Sequence, residues 1–471
     1  MTTSGYKALY VAIQGLIFFL IVTLQLNAST GYAYLAIAVT IELVLFVYTN
    51  WKVTGEVFNF TVIFVVLLYL FHFGQVILMG FFPGTTKNQQ ITLKYFRTTD
   101  CLDAMRIITI IFLFVCLGII VAGRKKIDAI KSDFTENIDY DHLKSKAITM
   151  ITITFPVKVI IDGIFFVKAI SLGEGFGVYW LNGIPQFLRT YGDFSVIGFC
   201  LLISSLCNKT GKQTRALVLI LTYFLALMLS GRRSENVVYV CIFVFIYLKT
   251  NKRKINLWKV IALSFFAYMF ITFLYAIVYN RSQVGIQTIS SFADAFVLVL
   301  KEKNIFVETL REYGNTGYTA VCVVAFWLKN KAPTYGLSLL CGCTAIFPNI
   351  TGLPGELTEL GNFAIQLKNY GMVTRLYTNI GGSLIGELLF NFGVVGGAVA
   401  AFILGLLIGK LGRRVQELMA VSDYIKLSYY IPAMISVLYW VRDVLGGEIR
   451  TMVWGILFVS VAKKFVVRWK P

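Results

Sequence analysis

Acidic groups and histidine are scarce in this chain: 24 Asp and Glu stand against 43 Lys and Arg in 471 residues, and there are two His. Charged residues total only 14%, too few to cover a soluble protein of this size. The eight cysteines follow no metal-ligand spacing, which argues against a structural zinc site. No His cluster occurs, and no Asp-x-Asp pair lies in the segments assigned below to the outer face, so nothing is placed there to hold a metal–diphosphate. Gly-x-Ser-x-Gly is missing, and the two Ser-x-x-Lys spacings, Ser4 to Lys7 and Ser460 to Lys463, fall on the side assigned below to the cytoplasm, so neither signature marks a serine nucleophile on the outer face. There is no P-loop, no soluble nucleotide-binding domain, no internal repeat and no low-complexity tract. No cofactor and no metal is implied.

What is present is apolar. Hydrophobic residues make up 57% of the chain and mean hydropathy is +0.74, which together indicate an all-α integral membrane protein. A membrane helix needs about 20 mainly apolar residues. On that rule about twelve spans are expected, at 7–26, 31–49, 57–80, 104–122, 147–170, 190–207, 214–230, 235–249, 257–279, 381–409, 425–441 and 448–462. The first is read as a retained helix, because its apolar run lacks a small-residue cleavage site. The net charge of +19 does not point to nucleic acid, since the cations sit in short clusters between apolar runs. Lys and Arg of short loops stay in the cytoplasm. Both termini inside puts Lys52, Arg124–Lys126, Lys209–Arg215, Lys252–Lys254, Arg413 with Arg414, and Lys463 with Lys464 on one side.

This topology divides the chain into a bundle of about nine helices at 1–279, an outward loop at 280–380 and about three helices at 381–471. A loop of about 100 residues usually has its own structure and task. Its apolar patches Tyr318–Leu328 and Gly336–Phe347 are each too short to cross. They read as amphipathic helices on the membrane surface or packed over the bundle, with a re-entrant hairpin as the alternative. Cys116, Cys200 and Cys241 fall inside apolar runs and read as buried thiols. Cys322, Cys341 and Cys343 share the outward loop and are candidates for a disulfide.

The outer face carries more Arg than this topology predicts. Arg232 and Arg233 form a tight turn in SGRRSE, Arg281 follows span 9, Arg189 opens span 6, Arg375 precedes span 10, and Arg442 and Arg450 flank span 12. Guanidinium offers a planar fork of donors to phosphate oxygens and keeps its charge. Such a rim suits an anionic ligand such as a lipid-linked diphosphate. The competing reading has each Arg reach to lipid headgroups or pair with Glu235, Asp443 or Glu448. Ionisable groups inside spans are functional hypotheses by default. Lys158 and Asp162 are four apart, on one helical face, and able to pair. Glu42 reads as a packing hydrogen bond, and His72 as a packing residue with acid or base chemistry as the alternative. Glu387 has no partner nearby in sequence and is placed about two turns below the start of its helix. Tyr179, Trp180, Tyr313 and Tyr318 are either sugar platforms or interface anchors.

The Gly-Arg-Arg turn, the single large outward loop late in the chain, and Arg375 separated by ten residues from Gly386 together resemble the Wzy-type O-antigen and capsule repeat-unit polymerases. The helix text NIGGSLIGELLFNFGVVGG at 379–397 is similar to the glycine-rich segment after the large loop of those proteins and of the related O-antigen ligases. The ligases carry a His in this region where this chain offers only Thr378, which favours polymerase and leaves the acceptor-activating base unassigned. The resemblance implies a GT-C glycosyltransferase of the bacterial plasma membrane. It would act on undecaprenyl-diphosphate-linked oligosaccharide donor and acceptor, with a chain-length regulator protein as a further partner. By that reading Arg232, Arg233, Arg281 and Arg375 hold the diphosphate, and Glu387 or Asp162 is the base or sugar-orienting acid. A lipid-linked oligosaccharide flippase and a ligase are the rival functions. The absence of pseudo-repeated halves counts against the flippase.

Overall fold

The computed structural model describes residues 2–27, 29–83, 96–124, 139–171, 184–229, 233–251, parts of 268–279, 289–302, 304–349, 352–369 and 381–468. These residues are 86% helical and contain no strand. Among them, eight helices are long and apolar enough to cross a membrane: Thr3–Thr23, Gly31–Thr54, Phe60–Phe81, Thr98–Ala122, Tyr140–Val167, Gln186–Ser205, Leu384–Ala420 and Leu445–Lys463. That is fewer than the twelve expected. The expected spans 214–230 and 235–249 are helices, Thr210–Leu229 and Arg233–Thr250, but Lys212 and Arg215 weigh on the first, and Arg233, Glu235 and Lys249 on the second. Span 425–441 breaks into Tyr424–Leu427 and the ten-residue Ile431–Trp440. Most of span 257–279 lies outside the described residues.

The helices cluster into two units. The first comprises Met1–Asp133, Leu310–Ala420 and Ser436–Thr451. Its backbone is the pairing of Thr98–Ala122 with Leu384–Ala420. A side chain at Gly118 would run into the Phe402 carbonyl, and one at Gly405 into the Val115 carbonyl. Only glycine at both positions lets the two main chains touch, the small-residue mode of helix association in lipid. Helix ends follow local chemistry: Asn59 Oδ1 accepts from Val62 N at 3.0 Å to start Phe60–Phe81, and Gly55 ends Gly31–Thr54 at φ 80°.

Leu384–Ala420 is broken at Gly393, whose φ of 67° and ψ of −163° interrupt it. The leading segment, 384–392, is about two and a half turns long. The loop before it is stitched to the break: Thr334 N donates to the Phe390 carbonyl at 3.1 Å. Asn391 Oδ1 accepts from Thr334 Oγ1 at 2.9 Å and from Ser338 Oγ at 2.8 Å.

Tyr318–Leu328 packs inside this unit rather than on the membrane surface, with Ala320 to Val323 fully buried. Glycine again permits it, because a side chain at Gly317 would meet the main chain of His72. Tyr318 is 5% exposed and offers no face to a sugar. Leu337–Ile346 is a short apolar helix with Leu337 and Leu340 exposed and Ser338, Gly342 and Ala345 buried. The eight cysteines are free, so the candidate disulfide of Cys322, Cys341 and Cys343 does not form; Cys322 is buried inside the packed segment.

The second unit comprises Phe134–Thr309, Val421–Ile435 and Met452–Pro471. Tyr140–Ser171 packs along Ser195–Ser205 and Gln186–Asp193. A ladder of edge-on aromatic rings, Phe155, Phe199, Tyr223 and Phe224, ties the unit together.

Candidate functional site

The stretch carrying the Arg–Gly spacing begins its helix later than expected. Gly381 to Ser383 are not helical. Ser383 caps the helix: its Oγ accepts from Gly386 N at 3.1 Å and its carbonyl from Glu387 N at 2.8 Å. Glu387 therefore stands in the first turn, not two turns down. A serine just ahead of an apolar helix is a start signal, so this correction was readable from the residues. Gly382 presses on the turn after Trp440, where any side chain would collide with the Asp443 main chain.

Glu387 is 1% exposed, and its Oε2 accepts from Trp440 Nε1 at 2.6 Å and from Leu445 N at 3.0 Å. Leu445 opens the helix Leu445–Arg468, so this carboxylate sits at a positive helix end. Two turns of chain, 381–387 and 440–445, are thus clasped by one buried acid. Removing it by Glu387→Ala leaves both donors without an acceptor, which costs about 1–3 kcal/mol each. Thermal unfolding of the purified variant is expected to show that loss, whereas Glu387→Gln keeps an acceptor oxygen and should stay close to the parent in stability and activity. A Gln variant that folds normally yet is inactive would instead assign chemistry to the carboxylate charge.

His72, on Phe60–Phe81, reaches the same point. It is fully buried, with Nε2 2.8 Å from Ser383 Oγ and Nδ1 3.1 Å from the Leu68 carbonyl. A carbonyl only accepts, so in the neutral ring Nδ1 donates to it and Nε2 accepts from the serine hydroxyl. Beside it, Phe71 lies under Arg442, whose guanidinium carbon is 5.3 Å from the ring centroid. Phe71 in turn meets Tyr313 edge-on at 5.2 Å. Among the described residues no acid pairs with Arg442. Asp443 Oδ1 instead accepts from Val444 N at 2.8 Å. Arg450 Nε donates to the Ala345 carbonyl at 2.5 Å. The first unit thus gathers Ser383, Glu387, His72, Trp440 and Arg442 around one helix start, and Ser383 and Trp440 were not singled out from the sequence.

In the second unit, Lys158 and Asp162 pair as their spacing predicts, at 3.4 Å. Sequence spacing did not supply the stronger partner, Asp193 Oδ1 at 2.7 Å, nor Tyr223 OH, which donates to Asp162 Oδ2 at 2.8 Å. Lys158 and Asp162 are 3% and 2% exposed, and Lys158 Nζ faces the rings of Phe224 and Tyr239. Arg189 approaches Glu235 at 3.8 Å, the pairing reading of that arginine. Arg233 opens the helix Arg233–Thr250. Arg232, Arg281 and Arg375, with Tyr179 and Trp180, lie outside the described residues. Glu42 is a packing acid, accepting from Tyr10 OH and from Gln14 Nε2 at 3.2 Å. Among the described residues no three His, Cys, Asp or Glu side chains converge as metal ligands would.

The sequence pattern of the family described as O-antigen polysaccharide polymerase Wzy matches residues 9–462. The chain belongs to that family. No curated protein and no solved structure matches it. The Wzy match takes in both units, so Ser383, Glu387 and Arg442 as well as Lys158 and Asp162 are parts of one membrane-embedded polymerase of O-antigen polysaccharide.

Proposed function

We propose that this Wzy-family protein joins undecaprenyl-diphosphate-linked oligosaccharide repeat units into a polymer on the outer face of the bacterial plasma membrane. The observation that carries the reading is the family match over 9–462. The helix start at Ser383, with Arg442 beside it, supplies chemistry that fits. An acceptor sugar hydroxyl attacks the anomeric carbon of the donor. The carbon–oxygen bond to the diphosphate breaks, the diphosphate leaves with the electron pair, and the hydroxyl proton is released. The leaving group gathers negative charge in the transition state, so donors fixed in place beforehand stabilise it most. We assign that work to Arg232, Arg233, Arg281 and Arg375, and add Arg442, whose cation rests on Phe71 and has no acid partner among the described residues. Arginine then does the neutralising that a metal ion does in other diphosphate chemistry, and the reaction is expected to run in the presence of a chelator.

Glu387 is assigned to positioning, because it fixes the turn that carries Arg442. Asp162 is assigned to the acceptor side as an orienting acid, held by Lys158 and Tyr223. The topology that goes with this reading has about twelve spans in a GT-C arrangement, both termini in the cytoplasm, and 280–380 as the extracytoplasmic loop.

Purified protein in vesicles, given lipid-linked repeat unit and nothing else, should yield a ladder of longer lipid-linked glycans. Translocation of the repeat unit with no longer product would replace the polymerase by a flippase. Transfer to a different acceptor only would indicate a ligase.

A further inference from the structure

At one end of the second unit, Tyr140–Ser171, Ser195–Ser205, the short helix Tyr424–Leu427 and the stretch from Met452 onward line a small, partly open pocket. Met150, Leu201, Ile425 and Val459 make its wall apolar, and Lys146 and Lys463 complete it. Lys146 is only 9% exposed. Neither lysine has a hydrogen bond or ion pair among the described residues, and both line the same pocket. A surface lysine on an apolar protein normally carries its charge out to water, but Lys146 is held in. Two like charges at one apolar pocket, one of them mostly buried, suit an anionic ligand.

The level of the site says where that anion comes from. Lys146 lies two turns into a helix that starts at Tyr140, and Lys463 near the end of one that stops at Arg468. Both helices are long and apolar enough to span a membrane, so the pocket lies at the depth where lipid headgroups meet acyl chains. Cations beside an apolar wall at that depth match an amphiphile with an anionic head, and the lipids with such heads are part of the surrounding bilayer.

We propose that this pocket binds an anionic glycerophospholipid, with the phosphate between Lys146 and Lys463 and the first methylenes of an acyl chain against Met150, Leu201 and Val459. The site is independent of the polymerase reading and of its arginines. The test uses the full-length wild-type protein in neutral detergent and follows its thermal unfolding with added phosphatidylglycerol, phosphatidylcholine or inorganic phosphate. Phosphatidylglycerol alone is expected to raise the midpoint saturably, and the double variant K146Q/K463Q to weaken that binding about thirtyfold, from the contribution of two lysines near a lipid surface. Equal stabilisation by phosphatidylcholine, or by inorganic phosphate, overturns the proposal, as does a double variant that responds as the wild type does. A measurement that needs no variant stands beside it: photoactivatable phosphatidylglycerol should label wild-type peptides spanning 146–150 and 459–463, and labelling confined to other regions overturns the assignment.

Discussion

Arg375→Ala is expected to abolish polymer growth, leaving the lipid-linked repeat unit unextended while the protein still inserts and accumulates. Loss of one preorganised donor to a charge that develops in the transition state typically lowers the rate by about 10²–10³. A processive reaction repeats that deficit at each addition, so the visible product falls further than the single-step rate. Arg375→Lys keeps the charge but not the two-pronged donor geometry, and only partial recovery is expected. Arg442→Ala is expected to act in the same direction with a smaller loss, since it also removes the cation resting on Phe71. Glycan ladders resolved by gel, normalised to protein in the membrane, measure all three. Near-normal chain length in Arg375→Ala would take that residue out of the site.

Lys158→Met is expected to fail at an earlier stage. It strips the cation from Asp162 and Asp193, which lie 3.4 and 2.7 Å from it. Breaking a buried pair on one side costs about 3–5 kcal/mol, a large part of the stability of an ordinary domain. Little folded protein should survive detergent extraction, as read by a monodisperse peak on size exclusion. Adding Asp162→Asn and Asp193→Asn to Lys158→Met removes the two charges that Lys158 balances and should restore part of the yield, because contacting residues are coupled. A single variant that folds normally but makes no polymer would move Lys158 from the scaffold into the chemistry.

The residues announced some of this arrangement and hid the rest, for a physical reason in each case. Apolar runs gave the membrane class because length and hydropathy are local properties. Lys158 with Asp162 was legible because four residues is one helical turn, whereas Asp193 comes from another helix and no spacing points to it. Glu387 appeared partnerless because its donors, Trp440 and Leu445, lie more than fifty residues further along. The burial of Tyr318–Leu328 was masked in the same way: glycines at 74 and 317 admit a neighbouring main chain, and a glycine in sequence does not say what approaches it. Among the described residues fewer helices than the twelve expected are long and apolar enough to cross, because charges near helix ends, such as Arg233 and Glu235, shorten the apolar stretch.

The break at Gly393 bears on how this protein is made. Where a helix ladder is interrupted at membrane depth, a released carbonyl needs a partner within the protein, since lipid provides none. Here the Phe390 carbonyl takes the amide of Thr334, a residue synthesised more than fifty positions earlier. The loop segment and the Leu384 helix therefore complete each other's main-chain hydrogen bonding only once both are in place. Transplanting residues 384–420 into a relative without 333–338 would deliver a helix with a bare carbonyl in hydrocarbon, so the two pieces form one unit of exchange between polymerases.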